Sequence, residues 1–211
     1  GLSNLLNIAL PKGRLGDKVY DLLEKLGYEC PEIKEDNRKL IFENKEQNLR
    51  FMLVKPSDVG IYVEKGAADV GVVGKDILIE SEPNVYELLD LGFGKCKFSI
   101  AAENGFVEDF DRPLVVATKF TNVAKKYFDS INRDVELIKL NGSIEIAPII
   151  GLSDVIIDIV ETGNTLKENN LSVVTDIVDI SARVIANKSS YRFKNAEITE
   201  MIDKIKEAIK W

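Results

Sequence analysis

Short apolar runs alternate along the chain with segments whose apolar residues recur every three or four positions. The runs at residues 5–10, 39–43, 49–54, 69–73, 86–91, 97–102, 114–117, 135–139, 173–179 and 182–186 predict strands. Val19, Leu22, Leu23 and Leu26 recur at helical spacing, and Gly27 closes that helix. Pro56 and Ser57 open a short helix through Glu64. Val123, Ala124, Tyr127, Phe128 and Ile131 line a helix behind Thr121, and residues 144–150 make another short one. Ile198, Met201, Ile202, Ile205 and Ile209 give an amphipathic C-terminal helix. Strands alternating with helices predict α/β architecture with largely parallel sheets.

One stretch, residues 154–165, carries the most chemistry. A run of aliphatics reads as a buried parallel strand, with Asp158 near its C-terminal end. Open α/β sheets bind their ligands there. Glu161, Thr162, Gly163, Asn164 and Thr165 then supply backbone N–H groups and two hydroxyls at a helix start, a ready phosphate site. A carboxylate beside a phosphate repels it unless a cation or hydroxyls lie between. A ribose diol, or a magnesium ion on a pyrophosphate, fills that gap, so the pattern points to a phosphoribosyl donor. Asp154, Ile156, Asp158 and Val160 share one face by the two-residue period. The plainer readings are that Asp154 caps a turn and that Thr162, Gly163 and Thr165 form an ordinary helix cap. A buried Asp158 without a role is costly to desolvate.

Lys12, Gly13 and Arg14 follow the first strand, where two cations and a permissive glycine suit a polyphosphate. Arg38 and Lys39 precede a strand, while Lys55 and Lys75 each follow one; solvated charge is the competing account of all four. Glu145 enters a short helix and is open to a capping role. Residues 66–74 echo residues 151–159 in a turn glycine, two spacers, Asp-Val and an apolar run. The echo suggests two similar lobes with ligand loops facing a shared cleft, though so short a pattern also arises by chance.

The 211 residues, 45% hydrophobic, suffice for one large domain or two small lobes with their own cores. A net charge of −7 disfavours general nucleic-acid binding, which needs a basic footprint. There is no histidine, so catalysis falls to carboxylates, Lys, Arg, hydroxyls, backbone dipoles or a bound ion. Cys30 and Cys96 are far apart and lack metal-ligand spacing, as expected of reduced residues in or near a core. No apolar stretch approaches the roughly 20 residues of a membrane span. Residues 1–4 lack a basic signal-peptide start, and Gly1 in place of methionine reads as a cloning remnant. A cytoplasmic protein is the expectation.

Residues 9–14, 38–42, 57–69, 86–91, 140–148 and 157–166 together resemble the ATP phosphoribosyltransferase family, the first enzyme of histidine biosynthesis, over nearly the whole chain. The resemblance implies two lobes like those of type II periplasmic binding proteins, with the active site in the cleft between them. Residues 1–92 with 177–211 would form lobe I, and 93–176 lobe II with the phosphate loop. It also implies magnesium-dependent transfer of the phosphoribosyl group of 5-phosphoribosyl 1-pyrophosphate (PRPP) to N1 of the ATP adenine, with Mg²⁺ carried on the pyrophosphate. Arg14 and Arg38 are the implied catalytic cations. Asp154, Asp158, Glu161, Thr162, Gly163, Asn164 and Thr165 are implied for PRPP, and Lys12, Gly13, Arg14, Lys55, Asp69 and Glu145 for ATP. Lys55 departs from an arginine common in relatives, keeping the charge but not the two-pronged geometry. The length is similar to that of the short form. Short forms pair with a regulatory subunit resembling histidyl-tRNA synthetase, in a hetero-octamer that contains homodimers of the catalytic chain; neither nucleic acid nor membrane is an expected partner. A non-catalytic solute-binding protein of the same fold is the alternative.

Overall fold

The computed structural model describes residues 4–210; the Gly1 reading and the extreme ends of the expected lobe I lie outside the described residues. The chain divides into two compact units. One runs up to Gly94 and resumes at Ser181, and the other is Lys95–Ile180.

The first unit contains β1 (Leu6–Pro11), α1 (Arg14–Lys25), β2 (Ile41–Asn44), β3 (Leu49–Val54), α2 (Val59–Glu64), β4 (Val70–Gly74), α3 (Lys75–Ser81) and β5 (Tyr86–Asp90). The second holds β6 (Cys96–Glu103), β7 (Leu114–Thr118), α4 (Thr121–Ser130), β8 (Val135–Lys139), α5 (Ile146–Ile149), β9 (Val155–Val160), α6 (Asn164–Glu168) and β10 (Leu171–Ile180). The chain then returns to the first unit as β11 (Ala182–Ala186), α7 (Lys188–Phe193) and α8 (Asn195–Ile209).

Among the described residues the first unit has one six-stranded sheet, ordered β2-β3-β1-β4-β11-β5. β1 is buried along its whole length because both its neighbours and both its faces are covered. Ile8, Leu10 and Phe51 pack with Val19, Leu23, Met201 and Ile205 from α1 and α8. Ala9, Met52, Val54 and Val73 face the other way, onto Val59 and Val63 of α2. Gly16 lets α1 run tight against the end of β1, since a Cβ there would lie 1.9 Å from the Pro11 carbonyl oxygen.

The second unit has a five-stranded sheet, ordered β10-β6-β9-β7-β8. Ala101, Ala117 and Ile156 on one face pack with Ile144 and Ala147, at and just before α5, and with Leu166 of α6.

The sheets are mixed, not largely parallel as the alternating pattern suggested. β1 is parallel to β3 and β4, and β7 to β8 and β9. β2, β5, β6, β10 and β11 make only antiparallel pairs. The reason is connectivity. β6 and β10 pair with each other as the second unit's first and last strands, and β11 re-enters the first sheet antiparallel to both β4 and β5. Single-strand periodicity carries no sign of direction. The short helices α3 and α7 were not foreseen either, because each carries too few apolar repeats to show a helical period.

The returning segment is fastened by Asp69, which is 4% exposed. Its carboxylate accepts from the Asn7 backbone N–H at 2.8 Å, from Ser190 Oγ at 2.6 Å and from Lys194 Nζ at 2.9 Å. One buried acid thus joins β1, β4, α7 and the start of α8. Removing one partner of a buried, hydrogen-bonded ion pair is strongly destabilising. Asp69→Ala is expected to lower unfolding free energy by about 3 kcal/mol, measured by urea denaturation of the whole chain.

Candidate functional site

Each unit presents one polar edge. In the first unit, β1 and β3 run parallel with Pro11 opposite Val54, so Lys12 and Lys55 leave the sheet side by side. The Lys12 N–H donates to the Val54 carbonyl at 2.8 Å and fixes that juxtaposition. Gly13, at φ 113°, turns the chain into α1, whose first residue is Arg14. On the other side of β3, Leu53 donates to Leu40 at 2.8 Å, so the segment carrying Arg38 runs to the same edge. β4 also exits here, with Lys75 behind Gly74.

Lys12, Arg14, Arg38 and Lys55 are exposed. None of the four makes an ion pair among the described residues. Lys39 and Lys75 are engaged, with Glu32 and Glu87. Lys12 and Lys55 follow the carboxyl ends of β1 and β3, Arg14 opens α1, and Arg38 precedes the antiparallel β2; like charges on one edge repel, and an anionic ligand or counterions would relieve that.

The second unit's edge is built around Asp158. β9 is parallel to β7 and antiparallel to β6, and its last residues reach the edge where β7 also ends. Asp158 shares the face of Ile156, on which α5 and α6 pack. Among the described residues its carboxylate accepts only from the N–H of Ile159, at 2.8 Å. Burial pushes its carboxyl above the ordinary carboxylate range and the negative charge of Glu145 adds to this, while the Ile159 N–H and the charge of Lys119 oppose it. Glu145, at the start of α5, therefore lies within electrostatic reach of Asp158.

Beyond Val160 the chain turns through residues 161–163, with Gly163 at φ 81°, and starts α6 at Asn164. Only glycine adopts that left-handed conformation without strain. Glu161, Thr162, Asn164 and Thr165 are exposed, and the first N–H groups of the helix lack carbonyl partners within it. Thr162 Oγ1 accepts from the Asn164 N–H at 3.4 Å, a contact of the capping kind that the sequence also allowed.

Two expected residues lie elsewhere. Asp154 precedes β9, four residues and about 13 Å of strand before Asp158. It is clamped by Arg112 through bonds of 2.9 and 2.8 Å and accepts from the Val115 N–H at 2.8 Å. Asp69 likewise sits before β4, at the end of the sheet away from Lys12 and Lys55, and is saturated by the contacts described above. Strand parity does not tell one end of a strand from the other.

The structure also adds residues that were not foreseen. Ser99 lies opposite Asp158, and Asp176 lies opposite Ser99. Lys97 lies opposite Val160, at the mouth of the loop. Lys119 follows β7 next to Asp158. A reliable strand pairing would have been needed to find them.

Asp154 and Asp158 should respond oppositely to substitution. The Arg112 hydrogen bond holds the Asp154 carboxyl below its ordinary range. Its stabilisation is present above the unfolded value and is lost as pH falls through the folded one. Asp154→Ala should cost about 1 kcal/mol at neutral pH, discounted because Arg112 is half exposed, and should leave donor affinity intact. Asp158 has the raised value, so stability is full at acid pH and declines as pH rises through the folded value. Asp158→Asn should therefore melt higher than the parent at neutral pH, by roughly 2 °C, and match it at acid pH. Calorimetry across pH checks both, and an Asp158→Asn chain less stable at neutral pH would contradict the assignment.

A family model described as ATP phosphoribosyltransferase matches residues 55–207. The chain is 65% identical over 206 residues to the ATP phosphoribosyltransferase of Brachyspira hyodysenteriae, covering 97% of this chain and 100% of that one. It is 54% identical over 198 residues to that of Clostridioides difficile, covering 93% and 95%. Among solved structures it is similar to a chain of the ATP phosphoribosyl transferase (HisG:HisZ) complex from Thermotoga maritima. That match has a TM-score of 0.84 and 36% identity, over 98% of this chain and 99% of that one. The periplasmic aliphatic sulphonate binding protein SsuA from Escherichia coli matches at a TM-score of 0.62 and 16% identity, over 98% and 72%, a likeness of fold alone. With a family model over more than half of its length and relatives identical at half or more of their positions, the chain belongs to the ATP phosphoribosyltransferase family.

Proposed function

We propose that the chain transfers the 5-phosphoribosyl group of PRPP to N1 of the ATP adenine and releases pyrophosphate, the first step of histidine biosynthesis. The observation that carries this reading is Asp158, left short of hydrogen bonds beside the loop 161–165. The loop takes the 5′-phosphate through its N–H groups and the hydroxyls of Thr162 and Thr165. Asp158 accepts hydrogen bonds from the ribose diol. The cationic edge of Lys12, Arg14, Arg38 and Lys55 takes the polyphosphates, and Glu145 faces the bound nucleotide.

In the reaction a bond forms between N1 and the anomeric carbon while the bond from that carbon to the pyrophosphate oxygen breaks. Positive charge builds on the ribose and negative charge on the leaving group. Arg14 and Arg38 offset the second. Magnesium enters as part of the substrate, bound to the pyrophosphate, and neutralises it further. N1 already carries a lone pair, so no strong base is needed and the missing histidine is no obstacle.

We further infer a cytoplasmic catalytic chain of the short form, working as homodimers in a hetero-octamer with a regulatory subunit that resembles histidyl-tRNA synthetase. The Thermotoga maritima relative, matched over nearly its whole length, is described as a HisG:HisZ complex. Among the described residues no helix is long and apolar enough to cross a membrane.

The test mixes the chain and its regulatory subunit with ATP, PRPP and magnesium and looks for N1-substituted adenine and pyrophosphate; no product from the complete assembly would refute the reaction. Arg14→Ala and Arg38→Ala should each lower kcat/KM by about a hundredfold while shifting unfolding free energy by no more than about 0.5 kcal/mol. Full turnover by Arg38→Ala would remove that residue from the catalytic set.

A further inference from the structure

Asp158, Ser99 and Asp176 form one row across β9, β6 and β10. Directly paired residues point to the same face of a sheet, with Cβ atoms about 5 Å apart. Ser99 is fully buried, and strand pairing sets an acidic residue on either side of it. It donates to Asp176 Oδ1 at 2.8 Å and leaves Asp158 with the Ile159 N–H alone.

The placement of Asp176 depends on two irregularities in β10. Val173 pairs with Ala101 and Thr175 with Ile100, so Val174 is an extra residue; Asp176 pairs with Ser99 and Val178 with Phe98, so Ile177 is another. Without the first bulge Thr175 would lie opposite Ser99, and Asp176 would point to the other face of the sheet. Bulges also protect exposed edges from pairing, and β10 is an edge strand. Edge protection alone does not require the register that brings a carboxylate to the Ser99 hydroxyl.

We propose that Asp176 is a positioning residue for PRPP: by holding the Ser99 hydroxyl it keeps the Asp158 carboxylate open to the ribose diol. This rests on the reading of Asp158 given above. If Asp176 lost its acceptor oxygens, the buried Ser99 hydroxyl would turn to Asp158, its remaining partner, because an unsatisfied buried hydroxyl is costly. The substrate would then compete with an internal donor. Asp176 is half exposed, so the protein tolerates changes there.

The experiment measures KM for PRPP and for ATP in the complete assembly. Asp176→Ala should raise KM for PRPP about tenfold, one hydrogen bond's worth of competition, and leave KM for ATP within about twofold. Asp176→Asn keeps an acceptor oxygen and should resemble the parent, as should Ser99→Ala. The double variant Ser99→Ala/Asp176→Ala removes the competing hydroxyl and should restore PRPP affinity to within about twofold of the parent. The double variant still lacks the Asp176 carboxylate that Lys97 contacts at 3.4 Å, so recovery cannot be credited to that pair. A double variant as impaired as Asp176→Ala, or an Asp176→Ala enzyme with normal KM for PRPP, overturns the proposal. Asp158→Ala separates the two levels: if it leaves KM for PRPP unchanged, the reading of Asp158 itself fails. If it raises that KM while Asp176→Ala does not, only the role of Asp176 is lost.

Discussion

The site depends on a carboxylate kept partly buried and under-bonded at the end of a strand. Taking a charged group out of water is expensive unless hydrogen bonds replace the lost hydration. The same chain shows how that debt is ordinarily met. Asp69 draws on Asn7, Ser190 and Lys194, and Asp154 on Arg112 and Val115. Asp158 has one N–H, from the next residue in its own strand. Its raised proton affinity records that deficit. Two adjacent hydroxyls on the proposed donor would supply what the protein withholds. The rest of β9 tolerates the deficit because Val155, Ile156 and Ile157 are fully buried and anchor the strand from behind.

The cationic edge works by the same logic with the sign reversed. The chain carries a net charge of −7, yet Lys12, Arg14, Arg38 and Lys55 gather at one end of one sheet without carboxylate partners. Several other cations are matched, Arg50 with Glu43, Arg133 with Glu108 and Arg183 with Glu87. Parallel strands cause the concentration. β1, β3 and β4 all exit in the same direction, so residues from distant parts of the sequence emerge together. Screening confines the interaction of exposed charges to about 10 Å, so an acidic surface elsewhere does not cancel the local field.

What could be read from the sequence follows from this. Runs such as residues 49–54 and 135–139 matched the observed strands end for end. The loop 161–165 was legible because Gly163, two threonines and a helix start form a local pattern. Asp69 and Asp154 were misread because an acid beside an apolar run looks the same at either end of a strand. Open α/β sheets bind their ligands at the end where parallel neighbours terminate. Strand direction was illegible for a related reason: β11 is as apolar as β1, and its antiparallel entry follows from the path of a returning chain.

Ser99 and Asp176 mark a different limit. A bulge changes which residue faces which without changing the composition of the strand, so the period-two rule assigns Asp176 to the wrong face. Two inserted positions, Val174 and Ile177, are individually ordinary β-forming residues. Their effect exists only relative to β6, the strand opposite. A side chain that governs another through a paired strand is therefore invisible to any pattern confined to one segment. It becomes readable once the pairing is known, because a fully buried serine with an acidic residue paired on either side donates its hydroxyl to one of them, Asp176.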